Sequence, residues 1–466
     1  MMRLRFLVPV LGFSSLLAVA CSGDDPAISD GEGGAAGEPS LPVGGGGEGG
    51  AGCTLEATGK LVIEVTGLPA GVAPEVIIEG PDDLLSDLAD DAFEDINSGD
   101  YTVTASRVFD EDPIVRTVYD ATVTAPDFTL CDGDTHTIEV TYKPIASSNK
   151  LWMPTAREEE GAAFSSSAIA ESGITDASVS IDGGVGRSIA FDRDGNMWTL
   201  GPTADFRQVL RFPAAELGDS GTPEPDVSFN VLDLTCIPET KTLALDGAGN
   251  LWISGCEAVV RVPAAELSGV DVDKEADVLV AGLDDNQGLA FDKDGNLWVA
   301  TAVGLARYDA SRLNDSTGDA PDLLLSVKDD TAGLRPWYLA FDKDGNLWAS
   351  DPIGVVVFKV ASTDLVGTGE AEVAAAVSIT LDVLALPNQL AFDDGGGAWI
   401  GLALDGDLGA GGIGRLSPAQ LMVSAGPGEP VTPEIVVHST SIGSDLPVAF
   451  FPAPAGLPLY HSIPVE

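Results

Sequence analysis

Apolar and polar side chains alternate along most of the chain in short runs, which is the period-two pattern of β-strands. Between residues 53 and 145 such runs include Leu61–Val65, Glu75–Glu79, Tyr101–Ala105 and Thr137–Tyr142. Glycine, proline and aspartate clusters separate the runs and indicate turns. The pattern predicts about six or seven strands, and we expect them to form a small antiparallel β-sandwich over residues 53–145.

The rest of the chain is an internal repeat. Five segments align without gaps: SIAFDRDGNMW (188–198), TLALDGAGNLW (242–252), GLAFDKDGNLW (288–298), YLAFDKDGNLW (338–348) and QLAFDDGGGAW (389–399). Their tryptophans lie 54, 46, 50 and 51 residues apart. Each segment reads as two strands joined by a turn, and a third strand, one helical turn, a loop and a fourth strand follow. Four strands per period of about 50 residues predict the blades of a β-propeller.

The two ends of the repeat fix the number of blades. Trp152 begins the series as a second strand with no first strand before it, and residues 448–451 match a first strand at the far end. The C-terminal strand is therefore expected to complete the first blade and close the ring. Six tryptophans share one position: Trp152, Trp198, Trp252, Trp298, Trp348 and Trp399. We predict an all-β, six-bladed β-propeller over residues 146–466, with a seventh blade built on Leu459–His461 as the alternative.

The hairpin motif FDxDGNLW resembles the repeats of NHL-like and gluconolactonase/regucalcin-like propellers. The runs GKLVIEVTGLP, GDYTVTAS and TIEVTY resemble prealbumin-like accessory domains of secreted bacterial proteins, which are usually spacers. The first resemblance implies a propeller with a divalent metal in its channel that activates water for lactone hydrolysis. No metal ligand can be transferred to this chain, and propeller folds also carry binders and scaffolds.

The N-terminus reads as an export signal. Residues 1–20 carry Arg3 and Arg5 before an apolar stretch from Phe6 to Val19, which is too short to span a bilayer. LAVAC (17–21) resembles a bacterial lipobox, which implies acylation of Cys21. Ser22 follows, and the resemblance implies an outer-membrane lipoprotein of a Gram-negative bacterium, on the periplasmic or the cell-surface side. Residues 21–52, rich in Gly and acid, are expected to be a flexible tether reaching roughly 30 Å.

The composition of the chain excludes two classes of function. The chain has 466 residues, with 23 Lys plus Arg against 73 Asp plus Glu and a formal net charge of −50. This deficit excludes nucleic-acid binding and electrostatic docking on anionic lipid. We expect a monomer whose only membrane contact is its lipid, with a small molecule or a protein as partner.

Four further cysteines predict two disulfides in an exported chain. Three pairings are open, and closeness in sequence favours Cys53–Cys131 and Cys236–Cys256. The chain contains no CxxC motif, and its three histidines share no motif, so we expect neither a metal nor a cofactor.

Most other motifs have structural explanations. The DxDGN segments resemble calcium loops, but the twelfth position holds Thr203, Val303 or Ile353 in place of a bidentate Glu. We interpret them as hairpin turns, and the repeated tryptophans as wedges between neighbouring sheets. The chain has no GxSxG elbow for a nucleophile. A lyase like the virginiamycin-inactivating propellers would need a channel histidine, and none occurs between Trp152 and Val437.

One constellation remains, at the position five residues before each repeat Asp. The residues there are Arg187, Lys241, Gln287, Trp337 and Asn388, with Leu446 in the last copy. The innermost strand of a blade begins at this position, so these side chains are expected to ring one mouth of the channel. Cations, amides and an aromatic side chain at a concave site suit a small anionic or polar ligand. The alternative is that Arg187 and Lys241 pair with nearby acids such as Glu239.

These features favour a lipid-anchored extracytoplasmic propeller that acts as a non-catalytic binding or scaffold protein, with no catalytic residue assigned. A gluconolactonase-like hydrolase or a propeller lyase, with its active site in the central channel, is the alternative.

Overall fold

The computed structural model describes residues 58–87, 90–155, 160–186, 188–201, 208–232, 241–255, 257–283, 285–330, 332–382, 385–404, 412–439 and 447–452. Several sequence predictions lie outside these residues: the signal peptide, the tether, Cys21, Cys53, Cys236, Cys256, Arg187, Leu446 and Leu459–His461. No helix in the described ranges is long and apolar enough to cross a membrane.

Nine strands form the N-terminal sandwich: Thr58–Thr66 (β1), Val76–Glu79 (β2), Leu84–Ser86 (β3), Asp90–Asn97 (β4), Gly99–Ala105 (β5), Val108–Phe109 (β6), Val118–Val123 (β7), Asp127–Leu130 (β8) and Thr135–Pro144 (β9). They pair in two sheets, in the orders β4-β1-β9-β7-β6 and β3-β2-β5-β8. Alternate residues point inward, so Leu61, Ile63, Ile138 and Val140 are fully buried between the sheets.

The prediction of an antiparallel sandwich is wrong for one central pair. Strands β1 and β9 run parallel, with Lys60 opposite Thr135 and Thr66 opposite Thr141. Alternation along a strand predicts which residues are buried, but it is the same for both directions of pairing. The direction is decided by how the chain returns between the strands.

The propeller strands follow in chain order: Lys150–Thr155 (β10), Glu160–Ser165 (β11), Gly173–Ile174 (β12), Val179–Asp182 (β13), Ile189–Phe191 (β14), Met197–Leu200 (β15), Gln208–Phe212 (β16), Val227–Val231 (β17), Leu243–Leu245 (β18), Leu251–Ser254 (β19), Ala258–Val262 (β20), Val272–Lys274 (β21), Val278–Ala281 (β22), Leu289–Phe291 (β23), Leu297–Thr301 (β24), Gly304–Tyr308 (β25), Leu323–Lys328 (β26), Tyr338–Phe341 (β27), Leu347–Asp351 (β28), Val356–Val360 (β29), Gly369–Ala374 (β30), Val377–Thr380 (β31), Ala385–Phe392 (β32), Ala398–Leu404 (β33), Gly412–Leu416 (β34), Ile435–His438 (β35) and Ala449–Phe451 (β36). Short 3-10 helices span Ser166–Ala168, Ala214–Glu216, Ala264–Glu266, Ala310–Arg312, Ser362–Asp364 and Gln420–Met422.

These strands form six sheets among the described residues. We number them blades 1 to 6 by the strands that carry the repeat tryptophan: β10, β15, β19, β24, β28 and β33. In every blade the innermost strand lies at one end of its sheet, so its free edge faces a shared central channel. Blade 1 has the order β13-β11-β10-β36, so the C-terminal strand completes the first blade as predicted.

Neighbouring blades pack through the repeat tryptophan, which confirms its interpretation as a wedge. All six indoles are at most 2% exposed. In five of the six boundaries the indole contacts a phenylalanine of the next blade, with ring centroids 5.7 to 6.5 Å apart. Burying a Trp and a Phe at each boundary gives each interface a core of its own.

The outer edges of the blades are also covered. After its 3-10 helix, each blade sends a segment across to pair in parallel with the outermost strand of the preceding blade. Three of these segments are strands, namely β12 on β35, β21 on β17 and β30 on β26. The others are bridges at Gly221, Thr317 and Ala425. Exposed strand edges invite unwanted pairing, and this circle of segments closes them.

Candidate functional site

The sequence register of the predicted site is reproduced in space. Consecutive blades are joined by hydrogen bonds where their innermost strands begin. These run from Leu243 N to Ser188 Oγ (3.1 Å), from Thr242 Oγ1 to the Gln287 carbonyl (2.9 Å) and from Gly288 N to the Trp337 carbonyl (2.6 Å). Each bond lies within two residues of a predicted mouth position. Lys241, Gln287 and Trp337 therefore start adjacent strands at one end of the channel.

Lys241 has an acidic partner at this mouth. Its ammonium lies 2.7 Å from Asp285 Oδ1, and the Gln287 side-chain amide donates to the same oxygen at 2.8 Å. Asp285 adopts a φ of 52° in the loop before β23. The lysine side chain is 15% exposed and that of Asp285 58%. The sequence alternative named Glu239, which lies outside the described residues, and the acidic partner that the structure describes is Asp285, from the loop before the next blade. The ion pair therefore neutralises the positive charge of Lys241.

Asn286 lies between Asp285 and Gln287 in the chain, and it is completely buried. Neither its Oδ1 nor its Nδ2 has a hydrogen-bond partner among the described residues. A buried polar group without a partner costs about 1–3 kcal/mol, so a water or ligand group is expected to satisfy it. An amide can donate and accept at once, which suits hydroxyl and amide groups of a neutral molecule.

Asn388 and Gln389 occupy the same level in blade 6. The pairing of β32 with β33 shifts register between Pro387 and Leu390, so both residues lie in a bulge. Bulges redirect side chains. Asn388 is 8% exposed, and the buried Gln389 Oε1 has no partner among the described residues. Blade 6 therefore carries a second pair of amides, at the register level of Lys241 and Gln287.

Trp337 is the tryptophan outside the repeat register, and it is half-buried at the start of the blade 5 inner strand. Its backbone N–H donates to the Ser350 carbonyl at 2.9 Å, which anchors it to its own blade. Trp337 is thus a natural reporter of this mouth. Arg187 and Leu446 belong to the predicted ring but lie outside the described residues, so their placement stays a prediction.

Below the mouth the channel is apolar. A cavity of about 110 Å³ is lined by the six inner strands. Gln389 is the one polar side chain among its described lining residues. Each inner strand contributes one alanine to this lining: Ala190, Ala244, Ala290, Ala340, Ala391 and Ala449. These small side chains leave the cavity open.

The acidic repeat motif performs turn chemistry, as predicted. In blade 5, Asp342 Oδ1 accepts the backbone N–H groups of Asp344 and Asn346, and its Oδ2 accepts Asn346 Nδ2 and the Trp348 indole at 2.9 Å. The side-chain Oδ1 of Asn346 then accepts the N–H of Ser362 at the following 3-10 helix. Blades 2, 3 and 4 repeat the set. No cluster of three metal-ligating side chains occurs in the described part of the chain.

One set of residues escaped the sequence analysis. A cation on the third strand lies directly opposite the repeat tryptophan in five blades: Arg211, Arg261, Arg307, Lys359 and Arg415. The first four lie 5.4 to 5.9 Å from the indole centroid, as in cation–π contacts. The signal was a basic residue three positions before the 3-10 helix in blades 2 to 5, and five positions before it in blade 6. These basic side chains thus have a structural use.

Comparisons with known proteins give matches among solved structures only. No family model and no curated protein matches the chain. Among solved structures it is similar to a luciferin-regenerating enzyme, at 14% identity over 59% of this chain and 92% of that one, with a TM-score of 0.38. It is also similar to a putative gluconolactonase, at 14% identity over 53% and 84% with a TM-score of 0.34. Catalytically inactive virginiamycin B lyase from Staphylococcus aureus with quinupristin gives 10% identity over 57% and 70%, with a TM-score of 0.34. No activity or site residue is transferred at these values. The sheets themselves define the chain as an all-β propeller protein.

Proposed function

We propose that the chain is a lipid-anchored extracytoplasmic β-propeller that binds a small, uncharged polar ligand at the channel mouth without transforming it. The observation that carries this proposal is the buried Asn286 side chain, whose donor and acceptor are both without a described partner. Gln389 adds a second such acceptor beside Asn388. Convergent amides around a concave mouth are typical of sites for neutral hydroxyl-bearing ligands.

Charge favours a neutral ligand over an anion. Lys241 would be the side chain that binds a ligand carboxylate, but its ammonium already lies 2.7 Å from Asp285. The Gln287 side-chain amide also donates a hydrogen bond to Asp285. An incoming anion would have to displace Asp285 or meet its repulsion. A polyol or amide meets no such barrier.

Anchoring and location rest on the sequence. The lipobox-like segment ending at Cys21 and the acidic tether over residues 22–52 support an acylated protein of the outer membrane. A strongly negative surface keeps such a protein soluble and repels anionic partners.

Titrations that follow Trp337 fluorescence test the site. The six other tryptophans are at most 2% exposed, so changes on ligand addition report the mouth. We expect neutral polyols and sugars, with D-glucitol as the probe, to shift the emission, and D-gluconate to bind at least tenfold more weakly. Asn286→Leu should abolish the response, while Asn230→Leu, a surface substitution on β17, should not. A preference for gluconate, or no response to any neutral probe, would overturn the proposal.

The same samples distinguish binding from catalysis. Incubation with D-glucono-lactone and Ca²⁺ or Zn²⁺ should leave the lactone at its spontaneous rate of hydrolysis. A metal-dependent acceleration that Asn286→Leu removes would favour the hydrolase alternative.

A further inference from the structure

We propose that the N-terminal sandwich is a rigid clasp, which locks the blade that closes the ring and holds the channel mouth on the side away from the start of β1. Sequence resemblance suggested a spacer. The contacts between sandwich and propeller show a more specific relationship.

Blade 1 lacks two connections that the other blades have. Its innermost strand β36 pairs with β10 through three residues and is not joined to it by a hairpin. The linker between the sandwich and β10, residues 145–149, lies where the other blades have the turn between their first and second strands. In blades 2 to 6 the indole N–H of the repeat tryptophan bonds the motif Asp, but Phe451 replaces that Asp here. Trp152 Nε1 instead donates to the Ser147 carbonyl of the linker at 3.2 Å. The linker thus supplies the missing contact.

The loop between β6 and β7 secures one flank. Arg116 forms an ion pair with Asp394 in the blade 6 turn at 2.9 Å, and the two side chains are only 16% and 13% exposed. The Pro113 carbonyl accepts the N–H of Gly395 at 2.7 Å. Val115 is 1% exposed and packs in the cluster that contains Phe450 of β36.

The other flank is held at blade 2. Arg107 donates to the Arg193 carbonyl at 2.7 Å and pairs with Asp194 at 3.1 Å. Ile145 packs with Phe191 and Phe451, and its N–H donates to the Val118 carbonyl at 2.9 Å. The sandwich therefore bridges blades 6, 1 and 2 and spans the ring closure.

These contacts also fix the orientation of the mouth. Each inner strand runs from the mouth toward the turn of its repeat motif, and the propeller residues that bind the sandwich, Arg193, Asp194, Asp394 and Gly395, lie in those turns. The sandwich occupies the turn face, so the mouth opens on the opposite face.

The parallel pairing of β1 with β9 places the chain entry at the far end. Strand β9 reaches the propeller at Pro144, and β1 begins beside Thr135 at the other end of the same sheet. Ten residues of strand span about 30 Å. The first described strand thus begins on the side remote from the propeller, and the order is start of β1, sandwich, turn face, mouth. This order relative to a membrane rests on the proposed lipid anchor, whereas the clasp does not.

Hydrogen exchange tests the clasp on the full chain. In Arg116→Met, the amides of Ala449–Phe451 should exchange about tenfold faster than in the wild type, while those of Gly304–Tyr308 stay unchanged. Arg211→Met is the matched control, because Arg211 also pairs with an aspartate, Asp226, but within its own blade. Should Arg116→Met unfold the protein, Arg107→Met at the more exposed flank provides the milder test. Unchanged exchange at β36 in the folded variants would overturn the clasp.

Energy transfer to vesicles tests the orientation. The protein carries a dye at Val303→Cys, in the mouth-side turn after β24, or at Lys343→Cys, in a turn of the opposite face. An N-terminal histidine tag holds it on nickel-chelating vesicles that contain acceptor lipid, so the outcome does not depend on acylation of Cys21. Transfer should be at least twofold more efficient from position 343. Equal or reversed efficiencies would overturn the orientation while leaving the anchor to a separate test.

Discussion

The indole of Trp399 meets the ring of Phe450 edge-on, with the two centroids 6.4 Å apart. Trp399 belongs to blade 6 and Phe450 to the C-terminal strand of blade 1, so this contact joins the last blade to the first. It repeats the geometry of boundaries inside the chain, such as Trp298 against Phe341 at 6.5 Å. This boundary therefore uses the same packing as the four other Trp–Phe boundaries, although the blade that it joins, blade 1, is assembled from two separate parts of the chain.

Removal of this contact should open the ring. Phe450→Ala is expected to cost about 3–5 kcal/mol of unfolding free energy, because it leaves a cavity between two blades. Phe450→Leu is the control, since Leu245 occupies the equivalent position in blade 3, and it should cost no more than about 1.5 kcal/mol. Denaturant unfolding measures both. A loss below about 1 kcal/mol for Phe450→Ala would show that the contact is dispensable.

The repeat aspartate should stabilise the fold without calcium. Asp342→Ala removes the acceptor for two backbone N–H groups, an amide and the Trp348 indole. We expect a loss of about 3 kcal/mol, because buried donors are left unpaired. Asp344→Ala, in the same turn, should change stability by less than about 0.5 kcal/mol. Addition of Ca²⁺ should leave the melting temperature of the wild type unchanged, and a calcium-dependent rise would contradict the turn interpretation.

The free energy of unfolding should fall at strongly alkaline pH, in part because Tyr308 ionises. Burial raises the pKa of Tyr308 to about 12 from an ordinary value of 10, although nearby Arg312 lowers it. The folded chain thus holds this proton more tightly than the unfolded chain does. Its stabilisation is present below pH 10 and is lost as the pH rises toward about 12. Near-ultraviolet absorbance should show a late-ionising tyrosine that is absent in Tyr308→Phe, and an unchanged titration curve would refute the assignment.

Peptide mapping of the unreduced protein should find Cys53 joined to Cys131 and Cys236 to Cys256. Cys131 carries no free thiol in the structure, which supports the first pair. The second pair would enclose 19 residues and stabilise the chain by about 3 kcal/mol through loop entropy. Free thiols at both Cys236 and Cys256 would exclude the second bridge.

Radiolabelled palmitate should mark the wild-type protein in its host and should not mark Cys21→Ala. Lipid is expected to be the sole membrane attachment, so the variant should be recovered in the soluble extracytoplasmic fraction. Label retained on the variant, or absent from the wild type, would disprove the lipoprotein assignment.

Much of the architecture follows from the sequence alone. The Trp of every period specifies the wedge between blades, and the Asp and Asn of blades 2 to 5 specify the turn and its connection to the 3-10 helix, because each group acts within its own repeat or on the adjacent one. The register also aligned Lys241, Gln287 and Trp337 correctly, since equivalent positions in a ring must lie at one level.

Tertiary structure decided what the repeat could not encode. The partner of Lys241 is Asp285 of the next blade, which is distant in sequence and close only once the ring forms. Asn286 is a candidate ligand-binding residue only because its side chain is buried without a hydrogen-bond partner among the described residues, which the sequence does not reveal. The parallel pairing of β1 with β9 and the ion pair between Arg116 and Asp394 likewise depend on how separate segments meet. Periodicity determines which face of a strand is buried, whereas pairing direction and long-range ionic contacts are set by the path of the chain in space.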